Sequence, residues 1–244
     1  MPSPWSECYR QHFQKLFRKP FDIQVYHSSE ATGRRPPRSA WSWLTSLFSA
    51  TPKGDRSTGS SLKLATHDWA LPGFRVYASM GLADRLVQNE EEDFGEVILF
   101  ADTPAAEVPN LFVHALFFIL HNDVPLGSRF AIGGIHDLAP EFAVRIRKSA
   151  LYFTHAQAEL VLATPQANKP DDISHAMTIN KVRNGDEFGW VYQAFFITAE
   201  ENEFLEDNGP DAFEELFAKA PDRLGLRRAS IILGPDESGV DRSQ

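Results

Sequence analysis

One cysteine in 244 residues, Cys8, excludes an internal disulfide, and no CxxC or Cys/His spacing marks a cysteine-based metal site. Cys8 sits on an apolar helical stripe and reads as a small core residue rather than a reactive thiol. No apolar run reaches the length of a membrane helix. The opening MPSPWSECYRQHF lacks the basic start and apolar stretch of a signal peptide, so a cytoplasmic protein is expected. Basic charge is scarce too. Lys and Arg number 24 against 33 Asp and Glu, a net charge of -9, which argues against nucleic-acid binding because neutralising phosphates needs a basic face. There is no internal repeat, no G-x-S-x-G elbow and no nucleotide fingerprint; Gly133-Gly134 reads as a turn or bulge, since no Lys or helix start follows it.

What remains is enough for a sizeable core: 43% of the residues are hydrophobic. Trp5, Cys8, Tyr9, His12, Phe13 and Leu16 recur at helical spacing up to a stop at Pro20. FDIQVYH alternates as a half-buried strand, with Phe21, Ile23 and Val25 on one face. LKLATHDW, FRVYASMG, EVILFA, SRFAIGG, SALYFTH, SHAMTINKV and WVYQAFFIT follow as strands. VPNLFVHALFFILHN is the strongest helix, apolar nearly all round and so expected to be buried, with Pro109 in its first turn. IHDLAPEF reads as irregular, and Asn184-Gly185 as a hairpin turn. Without a regular βαβ alternation, the expectation is an α/β (α+β) domain with a mixed, largely antiparallel sheet flanked by helices.

The acids crowded between Glu200 and Glu215 are mostly helix chemistry. Thr198 and Glu201 have capping-box spacing, and Glu200 with Glu201 complements the helix dipole. Asn208-Gly209 ends one helix, and Pro210 with Asp211 starts the next. Phe204, Leu205, Phe213, Leu216 and Phe217 give both an apolar side. Nothing in the spacing selects for a catalytic carboxylate pair.

This passage, an apolar strand, a Thr-started xxEE helix and a Gly before FEELF, resembles the end of the suppressor-of-fused domain. FRVYASMGLAD resembles that family's central strand, EVILFA the strand after it, acidic at its start, and LFVHALFFIL with DVPLG the following helix and turn. GLRRASIIL resembles the R-x-S close. Ser79, Leu82 and Ala83 stand where Thr, Met and Ser are more usual. The expected organisation is a helix and first strand over 1–27, a basic, Trp-containing insertion over 28–61, the domain body over 62–234 and a disordered tail over 235–244.

The resemblance implies a non-enzymatic protein-binding module. Animal members sequester Gli-type transcription factors, and single-domain bacterial members act largely as immunity proteins that bind and neutralise toxins. Because no second domain follows, a bacterial immunity protein with a cognate toxin as partner is expected, and no cofactor. The candidate partner-binding residues are the loop acids Glu90, Glu91, Glu92 and Asp93, which helix capping cannot explain, together with Glu200 and Glu203. Two other readings compete. His114 and His121, seven apart on one helix face, could hold a metal for hydrolysis with His136 or His155. Residues 34–48, with RRPPR ahead of Trp41, Leu44, Leu47 and Phe48, could rest on an anionic membrane surface or dock into a partner, although an excursion tucked against the domain explains them as well.

Overall fold

A computed structural model describes residues 4–17, 21–27, 61–68, 75–86, 94–102, 105–156, 180–220 and 225–232. The 28–60 part of the basic insertion, the acidic run Glu90–Asp93, the start of SHAMTINKV and the tail 235–244 lie outside the described residues. Helix α1 is Trp5–Phe17, followed by strands β1 (Asp22–His27), β2 (Ser61–Asp68) and β3 (Arg75–Met80). A single turn, α2 (Ala83–Leu86), leads to β4 (Gly95–Ala101) and the long α3 (Glu107–His121). Strand β5 (Phe130–Ile132), short helices α4 (Ile135–Leu138) and α5 (Pro140–Ile146), and β6 (Ala150–His155) come next. The β7 (Lys181–Asn184) and β8 (Glu187–Ile197) hairpin and α6 (Ala199–Ala218) complete the order; Gly209, at φ 81 and ψ 169, breaks α6 into the two helices that Asn208-Gly209 and Pro210 predict.

The eight strands form one sheet in the order β1-β2-β3-β4-β8-β6-β5, with β7 paired to β8 outside that path. Every pairing is antiparallel except β4 with β8, which runs Gly95↔Trp190 to Leu99↔Ala194. This is the mixed, largely antiparallel sheet that the alternating strands predict. Helix α3, apolar nearly all round, needs a partner on most sides. It buries Val108, Phe112, Leu116 and Ile119 against Val97, Leu99, Tyr192 and Phe196 on one face of the sheet. The other face is shared. Helix α1 covers Ala65, Val76, Ala78 and Ile98 through Trp5, Tyr9 and Phe13, and α6 covers Tyr152, Phe195 and Ile197 through Leu205, Phe213 and Phe217.

Three local expectations change. The segment read as irregular, IHDLAPEF, is helical: Gly134 takes φ 88 to start α4, and Pro140 sits where α5 needs no amide donor. Strand β1 is an edge rather than half-buried, with Ile23 45% and Val25 50% exposed, because nothing described covers their face. The hairpin turn is shifted by one residue. Asn184 still pairs with Glu187, and only Gly185 takes positive φ. Cys8 is half-buried beside the α1 cluster, with burial raising its thiol pKa, in keeping with a packing role.

Helix α1 is seated by one close approach. The Tyr9 hydroxyl donates to the Trp190 carbonyl at 2.7 Å across the start of β8. Gly189 leaves room for it, since a Cβ there would overlap the Tyr9 hydroxyl and lie 3.1 Å from Trp5. Tyr9 is fully buried and cannot swing away. Gly189→Ala is therefore expected to cost about 1–3 kcal/mol by overpacking, read as a lower urea midpoint with unchanged slope. A midpoint equal to the parent's would show that α1 does not sit here.

Candidate functional site

The start of α6 carries the capping box its sequence predicts. The Glu201 amide donates to the Thr198 hydroxyl at 3.3 Å, and the Thr198 amide donates to the Glu201 carboxylate at 2.9 Å. Yet Glu201 is fully buried, so it is not one of the solvated acids. Arg228 forks onto both its carboxylate oxygens, and the Ile231 amide adds a third donor at 2.8 Å. The same guanidinium donates to the Phe196 carbonyl at 3.2 Å and lies 5.0 Å from the Phe217 ring. Burial alone would raise the Glu201 pKa; the Arg228 pair outweighs it and holds the carboxyl below its usual range. Lys148, also buried, donates to the Arg228 carbonyl at 2.9 Å. Burial, then the like charge of Arg228, pushes its ammonium down to about 7. The acid of the xxEE helix and the Arg of the R-x-S close thus make one buried ion pair, 27 residues apart in the chain.

A second buried carboxylate holds the turn after β3. Glu96 accepts from the Ser79 hydroxyl at 2.5 Å, the Gly81 amide at 2.6 Å and the Ala83 amide at 3.2 Å. Gly81, at φ 95, lets the chain curl so that these amides converge. The Ser79 hydroxyl also accepts the Val97 amide at 2.8 Å, standing in for a backbone acceptor where the β3–β4 ladder ends at Ala78↔Ile98. Ser79 therefore supplies the hydroxyl that a Thr would. Burial pushes the Glu96 carboxyl up to about 7, against the pull of Ser79 and the amides. Helix α1 abuts the same turn, its Ser6 amide donating to Asp84 at 3.1 Å.

Neither carboxylate is open to a substrate; both hold backbone in place. What they present is surface. Glu200 and Glu203, on the first turns of α6, are exposed, as are Glu206, Asp207, Asp211 and Glu215. The outer side of α6 is an acidic face, partly matched by Arg129 on Asp211 at 2.6 Å and Lys219 on Glu215 at 3.0 Å. Glu214 turns inward and accepts from Tyr152 and Thr154 at 2.6 and 2.5 Å.

The histidines do not converge. Among the described residues no three His, Cys, Asp or Glu side chains are placed to share a metal. His121 donates through Nδ1 to the Phe117 carbonyl at 2.7 Å, His155 packs edge-on to Trp190 and His136 is exposed on α4. His114, its pKa lowered by burial, lines a cavity of about 380 Å³ with Tyr26, His27, Glu107 and Asn110. Among the described residues no helix is long and apolar enough to cross a membrane. Residue-level reading missed Glu96, Arg228 and Lys148. The available signals were an acid at the start of the apolar run EVILFA and the basic pair ahead of ASIIL.

Two predictions follow from the buried charges. Replacing Arg228 by Ala strands Glu201 without compensation and is expected to cost about 3–5 kcal/mol. The double change Glu201→Gln with Arg228→Met costs less than that single change, and denaturant unfolding of the three proteins checks the order. Glu96 binds its proton more tightly folded than unfolded. Its stabilising contribution is thus complete below the ordinary value of 4.5 and is lost as pH rises through about 7. Relative to Glu96→Gln, the parent should lose about 3 kcal/mol of stability across that window. The difference between the two proteins is the quantity to measure, because His67, depressed to about 4 by burial, titrates there in the opposite sense.

No protein-family model matches the chain, and no curated protein matches it in sequence. Solved structures do match in fold. A SUFU (suppressor of fused protein) homologue from Neisseria gonorrhoeae superposes with a TM-score of 0.56 at 13% identity, covering 94% of this chain and 98% of its own. A chain of the Sufu–Fu complex gives 0.56 at 11% identity, over 95% of this chain and 94% of that one. Drosophila Suppressor of Fused gives 0.50 at 12%, covering 95% of this chain and 52% of the fly protein. The strand–turn–strand held by Glu96, the apolar α3 and the Thr-capped helix locked by the arginine of the closing motif lie in one continuous architecture, and that architecture is the suppressor-of-fused-like domain fold.

Proposed function

We propose that the chain is a non-enzymatic protein-binding module that neutralises a toxin by covering its active site or substrate channel. The observation that carries this reading is the fold itself, shared over 95% of the chain with a protein crystallised in the Sufu–Fu complex. A domain that acts by occlusion needs a rigid surface of defined charge and no reactive group. The buried pairs of Glu201 with Arg228 and of Glu96 with its amides supply rigidity. The exposed acids of α6, Glu200 and Glu203 among them, supply charge, and the acids Glu90, Glu91, Glu92 and Asp93 are proposed as further partner-binding residues. Such a face speeds encounter with a basic partner and disfavours acidic ones.

The test is to look for a toxin gene directly upstream of this chain's own gene and to co-express the two, paired with binding of the two purified proteins. Protection of the cells and a stable complex are expected. Exchanging Glu200 and Glu203 for Lys should slow association about tenfold at low salt and less at high salt. The melting temperature should barely move, because exposed substitutions usually change stability by less than about 0.5 kcal/mol. A toxin that kills regardless, with no complex formed, would remove the neutralisation reading.

A further inference from the structure

The β7–β8 hairpin has two unlike faces. On one, Val182 and Gly189 lie against Trp5 and Tyr9, so α1 clamps the hairpin to the domain. On the other, the register sets Lys181 opposite Trp190 and Arg183 opposite Phe188, four side chains in a ladder. The Lys181 ammonium lies 4.5 Å from the Trp190 ring centre and the Arg183 guanidinium 5.9 Å from that of Phe188. Both cations are exposed. Phe188 is 54% exposed, and it is the aromatic member of the large apolar side chains that the described residues leave open to solvent.

Trp190 is half-buried against the core, but Lys181, Arg183 and Phe188 do not serve the fold. The core contributions of the hairpin come from Val182, Val191 and the inner edge of Trp190, and a polar residue at 188 would lose no buried contact. Among the described residues no carboxylate pairs with Lys181; Arg183 donates to the Gly185 carbonyl at 2.7 Å, and the carboxylate it reaches is that of the exposed turn residue Asp186, at 3.8 Å. A positive, aromatic strip on a chain of net charge -9 reverses the prevailing sign of the surface. Arg with aromatic rings is also the composition that carries binding energy at protein interfaces. Among the described residues β7 is paired along one edge only, which leaves backbone donors and acceptors for an added extended chain.

We infer that the outer face of the β7–β8 hairpin docks an extended, acidic segment of a partner protein, whose carboxylates meet Lys181 and Arg183 and whose apolar side chain lies on Phe188. Stacking against the rings holds each cation over its strand, so less side-chain entropy is lost on pairing. Single-stranded nucleic acid also uses cations interleaved with rings, but it tracks a continuous basic groove, and this face offers the two cations Lys181 and Arg183 alone among the described residues of the hairpin. The surface lies on the opposite side of the sheet from α6, and its function requires no toxin.

The experiment selects random linear peptides displayed on phage against the full chain, and measures the recovered peptides by fluorescence anisotropy at two salt concentrations. Expected are sequences rich in Asp and Glu with at least one large apolar residue. Their affinity should fall about tenfold with Phe188→Ala and further with Lys181→Glu plus Arg183→Glu, while circular dichroism shows both variants folded. Recovery of basic sequences, affinities unmoved by either variant, or displacement of the peptides by a single-stranded oligonucleotide would each overturn the assignment.

Discussion

One parallel pairing, β4 against β8, constrains how the rest of the domain can be laid down. Parallel neighbours cannot be joined by a tight turn, so the chain between Ala101 and Glu187 has to leave the sheet and return to it. It does so by crossing one face as α3, which puts the most apolar helix of the protein over the most buried strands. The returning chain then forms β5, β6 and β7 on the far side of β8. As a result β8 is flanked along its length by β4 on one side and by β6 and β7 on the other. Its carbonyl at Trp190 also receives the hydroxyl of Tyr9 from α1.

The segments that no ladder holds are held by buried carboxylates. Glu96 gathers the amides of the β3–α2 turn, and Glu201 gathers its own helix cap, the Arg228 guanidinium and the Ile231 amide. Burying a charge costs free energy that its partners only offset, so such sites are weak sources of stability. Their effect is on geometry. Remove one partner and several donors lose their acceptor together, which makes the local conformation all-or-none. A surface meant for recognition benefits from being displayed on segments held in this way.

Much of the fold was legible in the chain because periodicity reports burial. The two-residue alternation of the strands, the largely apolar α3 and the capping chemistry of Thr198 with Glu201 are local signals that the structure repeats closely. Legibility failed where burial was set from a distance. Ile23 and Val25 alternate like an inward face, yet their strand ends the sheet and they stand in solvent. Glu201 is marked locally as the capping-box acid, but its burial, beside an exposed Glu200, comes with the Arg228 that arrives from 27 residues on. The histidines of α3 share a helix face as their spacing implies, but the elements that would complete a ligand set carry His136 and His155 elsewhere.

The sequence by itself determined most of the strands and helices and the apolar stripe along them, IHDLAPEF being the exception. Those properties follow from backbone geometry and side-chain spacing within about a dozen residues. Tertiary structure alone decided that Glu96 and Glu201 are buried, that α1 seals the start of β8, and that Lys181, Arg183, Trp190 and Phe188 share one open face. Each of these depends on what a neighbour distant in the chain brings, and solvation, unlike periodicity, is a property of the whole assembly of elements.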